Sequence, residues 1–177
     1  CIGMYNNGLI APSSTDPNVI VPLIGDTYNS ATDFRAHGQC VSGIIGARFD
    51  NNEGAVGVAH NSTIMPLLMQ GASGQSAALL QEAFDQTGPD QVDIINMSWG
   101  STGMTVADVM GTTLYTALLN CHLNGRDGKG ILLIASSGND DLNFAQVPAG
   151  IDFVFSVGST TPLDQRKELG DPYAPSS

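Results

Sequence analysis

The chain of 177 residues carries 17 acidic residues against 6 basic ones, and its net charge of −11 excludes the basic surface that nucleic acids require. Hydrophobic residues make up 42% of it and charged residues 13%, which is typical of a globular domain rather than a disordered segment. No apolar run reaches the roughly 20 residues that span a bilayer, and the first residues do not form a signal peptide. We therefore expect one globular domain with no membrane span and no nucleic-acid partner.

Strand and helix patterns alternate along the chain. The predicted strands are 1–5, 19–24, 62–69, 92–98, 130–136 and 152–158, and the predicted helices are 37–48, 76–87 and a long one from Thr105 to Gly125. This alternation predicts an α/β fold in which a mostly parallel twisted sheet has helices on both faces.

The predicted helix 37–48 contains Gly38, Gly43 and Gly46, although each glycine inside a helix costs about 1 kcal/mol relative to alanine. We expect a closely packed neighbouring backbone to offset that cost. His37 stands in the first turn of this helix, where it is either part of a site or a polar helix end.

The chain has three cysteines, Cys1, Cys40 and Cys121. An odd number without metal-type spacing does not predict a disulfide framework. We expect them to be buried thiols.

Polar and small residues follow three of the predicted strands, at 5–8, 96–103 and 134–141. Open parallel sheets bind their ligands at the carboxyl ends of the strands. These three segments, together with His37, are therefore the predicted location of a functional site.

Four segments in chain order resemble the subtilisin-like (subtilase) serine proteases, including their kexin-like branch. Segment 37–67 begins with His-Gly and resembles the block that holds the catalytic histidine and a metal-binding loop. Segment 92–101 resembles the substrate-binding strand, and 128–140, which ends in Ser-Gly-Asn-Asp, resembles the oxyanion-hole strand. Segment 147–166 is similar to the region after it, where the family often has a cis-proline.

The resemblance implies a role for each matching residue. His37 matches the general base, and Asn139 matches the side-chain donor of the oxyanion hole. The position of the triad aspartate is occupied by Asn6, which carries no charge; Asp16 and Asp26 are rival acids, but neither ends the first strand. Without the resemblance, Asn139 would be interpreted as a turn residue.

The resemblance also implies a substrate-binding edge at Ser98, Trp99 and Gly100, where bare backbone at the glycine allows a peptide strand to be added. The other wall of the first pocket matches Ala135, Ser136 and Ser137. Trp99 also fits a core position. Asp140 and Asp141 leave a preference for basic substrate residues open.

The loop after the histidine helix resembles a structural calcium site. Asn51 would give an amide oxygen, and Glu53 and Ala55 would give carbonyl oxygens. An acidic ligand expected nearby falls on Asn18, which weakens the site, and a polar surface turn is the alternative interpretation.

The family's nucleophile lies in a Gly-Thr-Ser segment, and the chain, whose last residues are Ser176 and Ser177, holds none. Residues 1–177 are thus expected to be a partial peptidase domain that is incomplete at its C-terminal side. The implied activity is secreted or extracytoplasmic hydrolysis of peptides or proteins, with the serine supplied by a second segment. The alternative is an inactive pseudoprotease that binds extended peptides or a partner protein. A nucleotide-binding domain is disfavoured because no G-x-G-x-x-G or P-loop is present.

Overall fold

The computed structural model describes residues 3–5, 37–64, 67–70, 92–101, 103–140 and 142–166. The chain divides into two compact units, residues 1–86 and 87–177, and each unit holds one of the two described sheets. The predicted strand 19–24 and the predicted helix 76–87 lie outside the described residues.

The described residues of the first unit form a helix and two short parallel strands. Strand β1 (Gly3–Tyr5) pairs with β2 (Leu67–Gln70), and helix α1 (His37–Gly46) contacts β1. The strand predicted for 62–69 begins only at Leu67. Residues 62–64 instead complete a turn, because Ser62 donates both its N–H and its hydroxyl to the carbonyl oxygen of Ala59, at 2.9 and 2.7 Å.

The carbonyl groups at the end of α1 accept hydrogen bonds from the segment that follows the helix. The backbone N–H groups of residues 57–59 donate to the carbonyl oxygens of Ala47, Ile44 and Ile45 at 2.7–3.0 Å, which are acceptors that a helix end otherwise leaves open. At Gly46 a Cβ would lie 2.8 Å from the side chain of Ile64, so the close neighbour there is a side chain and not the backbone that was expected. At Gly43 a Cβ would meet no atom of the described residues within 4 Å.

In the second unit, the part of the chain that the structure describes forms a three-stranded parallel sheet and two helices. In chain order these are β3 (Ile94–Met97), α2 (Val106–Val109), α3 (Thr113–Gly128), β4 (Leu132–Ser136) and β5 (Phe155–Val157). The strand order is β3-β4-β5, and all pairs are parallel. The predicted parallel α/β architecture is confirmed.

One face of this sheet forms the core of the second unit. Buried side chains alternate along β3 and β4, and α3, which contacts β4, adds its own buried residues; the set is Ile95, Met97, Leu133, Ala135, Leu114, Ala117, Leu118 and Cys121. Each fully buried aliphatic side chain stabilises the fold by about 1.5–3 kcal/mol relative to an exposed one. On the opposite face Ile94, Leu132 and Phe155 are about half exposed or more, at 55%, 48% and 64%.

The single helix predicted from Thr105 to Gly125 is two helices. Thr105 caps α2 in a capping box, since its N–H and hydroxyl both donate to Asp108 Oδ2 at 2.8 and 2.7 Å. The hydroxyl bond first, and then the backbone bond, lower the pKa of Asp108 from its ordinary value. Gly111, with φ of +79°, breaks the helix, and helical geometry ends at Gly125 as predicted.

Two smaller expectations concern the cysteines and the absence of a membrane span. Cys121 is buried as expected, but Cys40 is exposed, so the expectation of a buried thiol is wrong there. No helix among the described residues is both long and apolar enough to span a membrane.

Candidate active site

The carboxyl ends of β3 and β4 lie side by side in the second unit. Met97 is the register partner of Ala135, so the segment that starts at Ser98 leaves the sheet beside Ser136. Two of the three polar segments predicted to form a site are therefore brought together by the parallel register. Among the described strands β3 is an outer one.

The segment after β3 is held by side-chain and backbone bonds. Asn96 Nδ2 donates to Ser98 Oγ at 2.9 Å, and the Ser101 N–H donates to the Val147 carbonyl at 3.0 Å. Gly100 is exposed, whereas Trp99 is half-buried and its Nε1 is buried with no hydrogen-bond partner. The bare backbone predicted at Gly100 is thus accessible.

The segment after β4 forms a tight turn. Ala135 is 1% exposed and belongs to the core, while Ser136 and Ser137 are half-buried and Asn139 is exposed. The Ser137 N–H donates to the carbonyl of Val157 on β5 at 2.9 Å. Gly138 follows with φ of +108°, a dihedral that glycine adopts readily, and it turns the chain toward Asn139.

Sequence reasoning missed Gln146, a buried residue that contacts both segments. Its side chain is 5% exposed, and its Nε2 donates to Asp140 Oδ2. A Cβ added at Gly100 or at Gly138 would lie 3.1 or 2.6 Å from Gln146 Oε1. The only sequence signal is a glutamine within the apolar run 144–149. The adjacent Val147–Pro148 bond is cis, as the resemblance implies for this region.

The residues expected to act on protons belong to the first unit. Helix α1 begins at His37, and Ser42 Oγ donates to the Gly38 carbonyl at 2.7 Å within its first turns. Strand β1 ends at Tyr5, directly before Asn6 in the sequence. Asn6, Asp16, Asp26, Asn18 and Asp141 lie outside the described residues.

The predicted calcium loop is exposed and locally ordered. Asn51 Oδ1 accepts a hydrogen bond from the Glu53 N–H at 3.1 Å, and residues 50, 52 and 54 have φ near +57°. Asn51, Glu53 and Ala55 are all exposed. An amide oxygen with one accepted bond keeps a second lone pair, and amide and carbonyl oxygens are the donors that calcium takes. The donor types in this loop fit that ion.

A comparison with known families decides the family. The sequence model of the subtilase family matches residues 9–170. The chain belongs to the subtilase family. Its parallel α/β sheet and the serine-protease resemblance of its four segments agree with that membership.

Individual subtilases show the same relationship. The chain is 34% identical over 143 residues to the minor extracellular protease Epr of Bacillus subtilis, and the alignment covers 77% of the chain and 20% of that protein. It is 30% identical over 166 residues to subtilisin DY of Bacillus licheniformis, covering 89% of the chain and 55% of that protein. It is 29% identical over 148 residues to a cell wall-associated protease of B. subtilis, and the alignment covers 81% of the chain and 15% of that protein. The chain thus spans between about a seventh and about half of these relatives.

Proposed function

We propose that the chain supplies most of the active site of a subtilisin-like serine endopeptidase. The observation that carries the proposal is the adjacency of the segments 98–100 and 136–139 at the carboxyl ends of paired parallel strands, in a chain of the subtilase family. The first segment offers an edge for an extended peptide, and the second places Asn139 one turn beyond β4.

The proposed reaction is acyl transfer to a serine that a segment outside these 177 residues supplies. The serine Oγ attacks the peptide carbonyl while His37 accepts its proton, and the side-chain amide of Asn139 donates to the developing oxyanion. His37 then gives that proton to the leaving amine, so the C–N bond breaks and an acyl-enzyme remains. Water, activated by His37, hydrolyses the ester and regenerates the serine.

Asn6 limits this mechanism. A carboxylate at that position would fix the tautomer of His37 and stabilise the imidazolium. A neutral amide stabilises the imidazolium poorly. In another serine protease the same Asp-to-Asn replacement lowers turnover by about 10⁴. We therefore expect hydrolysis by this chain to be slow even when the serine is present.

A peptide-binding pseudoprotease is the second candidate, and Asn6 is the observation that favours it. Adding a strand to the edge at Ser98–Gly100, where Gly100 is exposed, requires only backbone groups and neighbouring pockets. Such a protein would bind the same extended peptides without cutting them. The presence of both His37 and Asn139 favours the peptidase.

Labelling with a fluorophosphonate probe, followed by intact mass measurement of every polypeptide present, tests the peptidase. We expect an adduct on a serine outside residues 1–177. An adduct on none of the polypeptides of the complete natural protein would contradict the proposal and leave the binding function.

Two substitutions test the assigned roles. Asn6→Asp in the complete protein should raise kcat for peptide hydrolysis by orders of magnitude, whereas Asn7→Asp adds the same charge one residue later and should not. Asn139→Ala should lower kcat by about 10²–10³, the cost of removing one oxyanion-hole donor in subtilisin itself. Asn143→Ala, at an exposed asparagine nearby, is the matched control.

We also propose that the loop of Asn51, Glu53 and Ala55 holds a structural calcium ion, which is supported by its oxygen donors. Calcium that binds only the folded state raises its stability by about 2.7 kcal/mol at 100 times the dissociation constant. A thermal midpoint that rises with calcium, and does so less in Asn51→Ala than in Asn143→Ala, would support the site. No difference between the two variants would exclude it.

Secretion is the proposed location, supported by relatives that are described as extracellular or cell wall-associated proteases. Fractionation of the producing cells with an antibody against this chain tests it. Protein found only inside the cells would contradict it.

A further inference from the structure

Gln146 makes an unusual set of contacts for a side chain in an apolar segment. It is flanked by Ala145 and Val147 and is 5% exposed, so its amide must find partners inside the protein. Its backbone N–H donates to the Ser137 carbonyl at 3.2 Å, and its side-chain Nε2 donates to Asp140 Oδ2. The two ends of the turn 137–140 are therefore both bonded to one residue.

The same side chain also lies close to both segments of the candidate site. Its Oε1 is so close to Gly138 and Gly100 that a Cβ on either would come within 2.6 or 3.1 Å of it. Because Gln146 is buried, it has little room to move away from such an atom. The Gln146 amide therefore leaves no room for a side chain at either glycine, and it approaches the backbone after β3 and the backbone after β4 alike.

We propose that Gln146 is a positioning residue that fixes the Asn139 turn relative to the peptide-binding edge at Ser98–Gly100. It touches neither substrate nor reacting atoms and acts through Asn139, which lies between its two bonded residues, Ser137 and Asp140. The proposal rests on the oxyanion role proposed for Asn139. An amide is suited to this task because it donates to a carboxylate on one side and presents a compact oxygen to two glycine backbones on the other.

The Gln146→Met variant removes the amide but keeps nearly the same volume, and Gln165→Met makes the same change at an exposed site. In the complete protein we expect Gln146→Met to speed amide hydrogen exchange in residues 137–140 by about tenfold or more, while β3 is unchanged. We expect kcat to fall about 10- to 100-fold with little change in KM, since misplacement of a catalytic donor affects the transition state most. Gln165→Met should change none of these.

A reversed pair provides a rescue. Gln146→Glu alone places a carboxylate against that of Asp140 and should loosen the turn. Combined with Asp140→Asn, it restores a hydrogen bond of opposite direction between the same positions, with the net charge unchanged. We expect the double variant to recover most of the exchange protection and of kcat.

The decisive comparison is with Asn139→Ala. If Gln146 acts through Asn139, Gln146→Met should cost no further kcat in the Asn139→Ala background; an undiminished further loss would overturn the proposal. Unchanged exchange at 137–140 in Gln146→Met would overturn it as well, whatever the activity. If the natural protein proves to have no peptidase activity, the proposed function fails, and the exchange data and the rescue still decide whether Gln146 fixes the turn.

Discussion

Gly128, the last residue of α3, and Gly130, two residues before β4, share a backbone dihedral but differ in their surroundings. Gly128 has φ of +81° and Gly130 has φ of +80°. Among the described residues, a Cβ on Gly128 would have no neighbour within 4 Å, whereas a Cβ on Gly130 would lie 2.2 Å from the carbonyl oxygen of His122. Alanine at each position therefore separates the cost of a left-handed backbone from the cost of the contact.

We expect Gly128→Ala to lower the free energy of unfolding by about 1–2 kcal/mol, the usual cost of left-handed geometry for an L-residue. Gly130→Ala adds an overlap, because carbon and oxygen normally approach only to about 3.3 Å and the carbonyl must move by roughly 1 Å. That movement strains the Gly130 N–H to Gly125 and Ile131 N–H to Cys121 bonds, at 2.8 and 3.0 Å. Overpacking of this kind costs about 1–3 kcal/mol, so the total is about 2–5 kcal/mol.

Urea unfolding of the complete protein measures both losses, with the fluorescence of Trp99 as a probe in the second unit. The m-values of the two variants should equal that of the natural protein, so that the midpoints report stability. Equal losses at the two positions would refute the reasoning, since the dihedral alone would then account for the requirement for glycine at Gly130.

Three further changes test the core, a helix cap and an ion pair. Leu118→Ala, at a fully buried side chain, should cost about 2–5 kcal/mol of unfolding free energy, and Leu123→Ala, at a half-exposed one, less than about 0.5 kcal/mol. Thr105→Ala removes the hydroxyl bond that lowers the pKa of Asp108 most, and it should raise that pKa toward its ordinary value, as measured by carboxyl NMR titration. The pKa of Asp108 is lower in the folded state than in the unfolded state, so its ionised form stabilises the fold above the unfolded-state pKa, and this stabilisation is lost as the pH falls through the folded-state pKa. The free energy of unfolding of Thr105→Ala should therefore depend less on pH in that acidic range. Arg126→Ala breaks an exposed ion pair and should cost less than about 1 kcal/mol, with a smaller loss in about 1 M salt.

The sequence predicted helix ends better than helix interruptions. Thr105 and Gly125 were identified correctly because caps and stops depend on residues within one turn. The break at Gly111 was missed, since a glycine inside a periodic apolar pattern costs only about 1 kcal/mol and the pattern continues beyond it. Whether such a glycine bends the chain depends on packing that the local sequence does not contain.

In the candidate site, too, features that depend on neighbouring residues were easier to predict than features that depend on packing. Ser98–Gly100 and Ser136–Asn139 could be predicted as candidate segments because each is a contiguous motif at the end of a strand. Gln146 was not found, because its importance arises from the approach of two glycines, Gly100 and Gly138, that are far apart in the chain. No periodicity or spacing marks a residue whose partners are assembled only by parallel strand pairing.

The two proposed functions, peptide binding and peptide hydrolysis, make different demands on this chain, and under the proposed mechanism Asn6 affects only hydrolysis. Strand addition uses backbone groups at the edge formed by Ser98–Gly100 and requires no charge at position 6. In the proposed mechanism, turnover requires an imidazolium at His37, which starts α1, where the helix dipole opposes positive charge and increases the need for a carboxylate. We therefore expect Asn6 to lower kcat and to leave KM unchanged, because the charge that it fails to balance develops only in the transition state.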